Sequence, residues 1–243
     1  MVNPVATFRA LHHDRAPGDA LVLPGPWDAA SARVFEEAGF PALATPSAGV
    51  AASLGHEDGA TPAAEMFAAV RRIVRSVSVP VSADIEDGYG LVPKELVERL
   101  LETGAVGCNL EDSTRHGGLK DPRAQADWLA DVRAAAGDRV VLNARIDTFI
   151  RGAADPVAEA IERARLYIAA GADCVYPIGA PIDALPRLRA GIDGPINVGA
   201  PPNGPSPREW GGAGATRITF GPGLQRRATA ALREIAEGLA RPA

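Results

Sequence analysis

Two carboxylates two residues apart, Asp84 and Glu86, close an apolar run, VPVSADIEDGYG over 79–90. Glu111 and Asp112 close a second run, VGCNLED over 106–112, and Arg145 and Asp147 close a third, RVVLNARID over 139–147. Asn197 sits in PINVG over 195–199, and the polar stretch LGHED over 54–58 adds Asp58. Acids gathered into a partly desolvated place repel one another, so such a group needs a cation. Ligands that are all oxygen, with gaps for water, suit Mg2+ better than zinc, with Mn2+ as the close substitute. If the strand persists, Asp84 and Glu86 project to one side of it, and Gly88 and Gly90 loosen the backbone beyond. Arg145 at a strand end suits either an anion ligand or an ion pair with Asp147.

The elements that must position these groups alternate. Short β-rich runs are ALVLP (20–24), PALAT (41–45), VPVSAD (79–84), VGCNLE (106–111), RVVLNAR (139–145), DCVYPI (173–178), PINVG (195–199) and TRITFG (216–221). Ala-, Leu-, Glu- and Arg-rich segments of helical character lie between them. Asp28, Thr61 and Asp155 stand where an N-cap would offer a side-chain oxygen to unpaired backbone N–H groups. Pro62, Pro93, Pro122 and Pro156 stand where a first helical residue tolerates proline. Gly39, Gly104 and Gly171 stand where a helix ends in a left-handed residue. A helix-length connection implies parallel strands, and this many alternations suit a closed (β/α)8 barrel of the TIM type. A doubly wound sheet ranks second, because no phosphate-binding glycine turn opens the chain. The expected organisation is one domain over 1–243, with an N-terminal helical extension over 1–19 covering one end and a last helix over 223–243. A barrel works at the C-terminal ends of its strands, which puts the acids at one mouth.

Composition narrows the class. The chain has 243 residues and a formal net charge of −5, and 47% of it is hydrophobic. That acidity argues against nucleic acid or a membrane surface as partner. Two cysteines, Cys108 and Cys174, lie inside apolar runs and imply neither a disulfide framework nor a zinc site. No apolar stretch reaches the roughly 18 residues of a membrane span. The opening MVNPVATFRALHHDRAPGD lacks the apolar core of a secretory signal, so a cytoplasmic protein is expected. His12 and His13 are expected at the surface or an interface.

Five motifs in order carry a resemblance: WDAASARVFEEAGF, LGHED, ADIEDGYG, CNLEDS and NARIDTFIRG. Together they resemble the isocitrate lyase/phosphoenolpyruvate mutase superfamily, from about residue 20 to about residue 180. The resemblance implies a barrel enzyme that holds a 2-oxo acid or its enolate on Mg2+. It also implies a homo-oligomer, dimer or tetramer, whose subunits exchange the last helix. By position, Asp84 resembles the direct metal ligand, and Glu86 stands where the family usually has aspartate. Asp58 and Glu111 resemble carboxylates that hold water around the ion. Ser47 and the Ala48 and Gly49 amides match a loop that grips the substrate carboxylate. Arg145 matches an arginine on substrate oxygens, and Asn197 is a further candidate contact. Breaking or forming a bond next to a 2-oxo group leaves charge on an enolate oxygen, which Mg2+ and Arg145 would stabilise most in the transition state.

The same motifs count against some branches. Isocitrate and methylisocitrate lyases carry a gating cysteine where this chain has EDSTRHGGLKDPRAQ (111–125), which contains none. Phosphonate enzymes have a longer loop there. Cleavage, decarboxylation or condensation at a C–C bond of a 2-oxo acid or substituted malate is the leading expectation, with His116 as candidate acid or base. C–P bond chemistry is the alternative, with Arg115, His116 and Lys120 as possible anion contacts. A silent member that senses 2-oxo acids is the third.

Overall fold

All of the β-rich runs become strands, and every ladder between them is parallel. The computed structural model describes residues 3–13, 15–16, 18–114 and 117–240. The chain opens with helix α1 (Pro4–His13) and strand β1 (Leu21–Val22). It continues through α2 (Ala29–Glu37), β2 (Leu43–Ala44), α3 (Ser47–Leu54), α4 (Ala63–Val74), β3 (Val81–Asp84), α5 (Pro93–Thr103), β4 (Gly107–Glu111) and α6 (Pro122–Ala136). The second half comprises β5 (Val141–Ile146), α7 (Pro156–Ala169), β6 (Cys174–Pro177), α8 (Leu185–Gly191), β7 (Asn197–Gly199), α9 (Pro207–Ala213), β8 (Arg217–Thr219) and α10 (Gly223–Ala240).

The strands form two runs, β2-β3-β4-β5-β6 and β1-β8-β7. A parallel bridge from Val175 to Ile196 joins β6 to the start of β7, and the Ala44 amide donates to the Pro24 carbonyl at 3.1 Å across the other seam. Register then decides what meets what. Asp84, Asn109, Asn143 and Cys174 stand in one row, and Glu111, Arg145 and Tyr176 in a row nearer the strand ends.

The caps follow the sequence with one exception. Asp28 and Ser31 form a reciprocal capping box on α2, and the Asp155 side chain accepts from Ala158 N at the start of α7. Gly39, Gly104 and Gly171 all have positive φ. Thr61 is not the cap of α4; Pro62 takes that place and has no side chain to bond with. Thr61 instead lines the cavity described below.

Helix α1 packs against the N-terminal end of the strands. Phe8 is buried there with Leu21, Leu23, Ala42, Ala44, Val106 and Val141, and Arg9 pairs with Asp173 at 3.1 Å. This placement corrects the expectation for His12, which is buried while His13 is exposed. Nδ1 of His12 lies 2.7 Å from the Phe8 carbonyl, an acceptor, so that nitrogen carries the proton. Nε2 faces Nη1 of Arg217 at 3.4 Å. Arg217 is itself fully buried, stacks over the Phe8 ring at 5.9 Å and donates to Asn109 Oδ1 at 3.4 Å. Among the described residues, no helix is long and apolar enough to cross a membrane.

Candidate active site

The C-terminal ends of the strands surround a cavity of about 780 Å³. Ser47, Ala48, Asp58, Asp84, Glu86, Glu111 and Arg145 all line it, so the structure brings together seven of the residues picked out from sequence. Gly49 lies one step behind the wall, packed against Pro46, Gln225 and Trp27. Asn197 is fully buried below the mouth, where its Oδ1 accepts from the Thr219 hydroxyl at 3.4 Å. Thr219, not Asn197, lines the cavity. His116 and Arg115 fall outside the described residues. Lys120 turns back over the Trp128 ring at 5.5 Å and donates to the Glu111 carbonyl at 3.3 Å.

Two local structures differ from expectation, each for a physical reason. The segment expected to grip a carboxylate is the first turn of α3, whose N-terminal amides and positive dipole end suit an anion. The Ser47 hydroxyl and amide already reach Asp84 Oδ2, at 3.1 and 3.4 Å. Glu86 does not share a strand face with Asp84, because β3 stops at Asp84. A tight turn delivers Glu86 instead. Glu86 and Tyr89 adopt φ of 53° and 57°, unusual for residues with a Cβ, and Gly88 lies between them at 89°. A Cβ on Gly88 would meet the Trp128 ring at 3.0 Å. The turn is tied by Tyr89 N to Asp87 Oδ1 at 3.1 Å and Gly88 N to Ile85 O at 3.0 Å. Strained backbone of this kind costs about 1–3 kcal/mol per residue and persists where surrounding contacts impose it.

Arg145 is pinned from two sides. Its Nη1 meets Glu111 at 2.6 Å and its Nε meets Asp147 at 2.7 Å, so it is both an ion-pair partner and a cavity group. Asp147 is buried and further held by the Ser113 hydroxyl at 2.5 Å. Asp112 lies beneath the site in a network of its own. It accepts from Tyr167 at 2.8 Å, Arg163 at 3.1 Å and the Asp147 amide at 2.9 Å.

Electrostatics favour a bound cation. Burial raises the proton affinity of Asp84 against the opposing pull of Arg145 and the hydrogen bonds from Glu86 N and Ser47. Burial likewise raises Glu111, and the nearby Asp84, Asp147 and Glu86 charges add to it despite Arg145. Among the described residues, no three His, Cys, Asp or Glu groups converge closely enough to ligate one ion directly. Carboxylate oxygens on one cavity wall, without three converging ligands, fit Mg2+, which is held by one or two carboxylates and keeps several waters. They do not fit zinc.

Sequence reading missed several wall groups, Thr61, Tyr89 and Arg151 among them. The Thr61 and Tyr89 hydroxyls are buried without a hydrogen-bond partner among the described residues, and Arg151 joins them in the lining. No local signal marks them, since each depends on how a loop folds back. Neither cysteine lines the cavity; both are fully buried in strands, and burial pushes each thiol up to about 12.

The family model described as phosphoenolpyruvate phosphomutase matches residues 8–240. An oxaloacetate decarboxylase of Rhodopseudomonas palustris is 32% identical over 199 residues, covering 76% of this chain and 68% of that protein. A crystal structure from Burkholderia cenocepacia J2315, provisionally named a phosphonomutase, is 36% identical with a TM-score of 0.88, over 97% of this chain and 98% of the other. The crystal structure of a 2,3-dimethylmalate lyase is 29% identical with a TM-score of 0.85, over 98% of this chain and 88% of the other.

Proposed function

The chain belongs to the phosphoenolpyruvate phosphomutase family, within the isocitrate lyase/phosphoenolpyruvate mutase superfamily, and from that premise we propose that it is an Mg2+-dependent lyase-type enzyme acting on a small 2-oxo acid or substituted malate. The reaction makes or breaks a C–C bond next to the carbonyl, by cleavage, decarboxylation or condensation. One observation carries this reading: Asp84, Glu86, Glu111, Arg145 and the start of α3 line the same cavity. The names of two relatives, an oxaloacetate decarboxylase and a 2,3-dimethylmalate lyase, support it.

Each group then has a task. The Ser47 hydroxyl and the first amides of α3 receive the substrate carboxylate. Asp84, Glu86 and Glu111 would hold Mg2+ and its waters, with Asp58 at the exposed rim. The ion, when bound, supplies Lewis-acid stabilisation of negative charge beside the carbonyl. Arg145 keeps N–H groups beyond those bonded to Glu111 and Asp147, and turns them to the same charge. Its rigid mounting lowers the cost of reorganising around that charge.

C–P bond chemistry is the second reading, favoured by the matched family's description and the phosphonomutase name of the Burkholderia structure. A single panel separates the two. Pyruvate or carbon dioxide release is measured from oxaloacetate and substituted malates, and phosphonopyruvate is followed by phosphorus NMR, all with Mg2+. Turnover of an oxo or hydroxy acid supports the first reading, and loss of the phosphonate signal alone supports the second. No turnover of either kind overturns both.

We also take the two strand runs as one closed (β/α)8 barrel and the chain as one domain, since contacts cross both seams. A cytoplasmic setting suits two unpaired, buried thiols. The last helix is the expected contact with a second copy. No residue of α10 is buried, and Leu232, Ile235 and Leu239 are 65%, 60% and 83% exposed on its apolar edge. Light scattering after size exclusion is expected to show a dimer or tetramer, and the double variant Leu232→Glu, Ile235→Glu to shift it toward monomer. A monomeric wild type would remove this proposal.

A further inference from the structure

We propose that Arg151 reads a second anionic group on the substrate, so that the cavity selects 2-oxo acids with a carboxylate or phosphonate at the far end. The inference rests on the function proposed above and specifies its substrate class.

Arg151 follows the end of β5 in a turn that folds back on Asp147. The amides of Ile150 and Arg151 both donate to the Asp147 carbonyl, at 3.1 and 2.9 Å. The turn brings Ile150 and Arg151 into the cavity wall with Arg145. Both arginines flank the carboxylate of Asp147, Arg145 at 2.7 Å and Arg151 at 4.0 Å. The two cations are therefore spaced by little more than one carboxylate group, a separation that a three- or four-carbon dianion can bridge.

Their commitments differ. Arg145 is only 14% exposed and is engaged by two carboxylates at contact distance. Arg151 is 29% exposed, and among the described residues its side chain makes one hydrogen bond, to the Ser113 hydroxyl at 3.0 Å. The Asp147 carboxylate is already bonded at both oxygens by Arg145 and at one by the Ser113 hydroxyl, so it does not require Arg151. A guanidinium carries five N–H donors in a fork that matches carboxylate and phosphonate oxygens. Most of those on Arg151 therefore remain for a ligand. Ile150, Ile178 and Pro222 line the same cavity and offer apolar contact to a short carbon chain.

The test compares head group with tail. Full-length protein with Mg2+ is titrated with oxalate, which carries the head group alone. It is then titrated with 3,3-difluorooxaloacetate, whose tail is a carboxylate, and with phosphonopyruvate, whose tail is a phosphonate. Arg151→Met is expected to bind oxalate within about two-fold of wild type and at least one tailed ligand at least ten-fold more weakly, with Arg151→Lys in between. The tailed ligand that wild type prefers identifies the tail. Equal loss for oxalate and tailed ligands, or none for either, overturns the role of Arg151 while leaving the proposed function standing. Wild type that binds oxalate but neither tailed ligand does the same. Wild type that fails to bind oxalate overturns the proposed function and this inference with it. Melting temperatures of both variants check that the fold is intact.

Discussion

Asp84→Asn is expected to lower turnover at least about a thousand-fold, the scale of losing a main electrostatic contributor to the transition state. Asp84 is the group that three separate segments converge on: Ser47 from α3, the Glu86 amide from the strained turn, and Thr45 from the end of β2, whose hydroxyl accepts from the Asp84 amide. The amide side chain keeps the shape and removes the charge. With the charge goes the affinity for a dication. In wild type, oxalate should raise the melting temperature only when Mg2+ is present, by linkage. In Asp84→Asn that Mg2+-dependent rise should vanish. The melting temperature without ligand should stay level or increase, because a buried carboxylate that burial disfavours has been neutralised. Wild-type turnover in the variant, or an undiminished Mg2+ effect, would sink the assignment of Asp84.

The second large effect concerns stability and acid. Burial, with Arg217 beside it, lowers the His12 pKa to about 3 from 6.5. Above pH 6.5 the imidazole is neutral in folded and unfolded chains, so it contributes nothing to pH dependence. Below 6.5 the unfolded chain takes up a proton that the folded chain refuses, and stability falls. The loss grows by about 1.4 kcal/mol per pH unit until roughly pH 3, for a total on the order of 4–5 kcal/mol. That is a large share of the 5–15 kcal/mol of an ordinary domain. His12→Gln cannot titrate. Chemical denaturation at several pH values between 7 and 4 should therefore show a shallower decline for the variant, by about one proton. Parallel curves for the two proteins would disprove a buried neutral His12.

The contrast between these residues shows how far sequence reaches. The strands and helices were legible because their signals are local: β-branched runs, Asp28 and Asp155 as caps, glycines where a helix must end left-handed. The gathering of the acids was legible because parallel strands bring their C-terminal ends to one side. Glu86 reaches the cavity through a left-handed turn and not through the strand alternation expected of it. His12 was misjudged because a helix sequence does not announce which surface will cover it. Thr61, Tyr89 and Arg151 were missed because their direction is set by turns closing on distant groups, Arg151 on Asp147 among them. His116 keeps its candidacy outside the described residues.

The left-handed backbone at Glu86 and Tyr89 bears on how such a protein can change over generations. The pinned turn leaves few permissible replacements at either position. Glycine and asparagine relax the strain, but neither supplies a carboxylate or a phenol. Under the proposed function, a lineage released from the need for that carboxylate would drift toward glycine or asparagine at Glu86, while Tyr89 would stay held by its packing against Phe67.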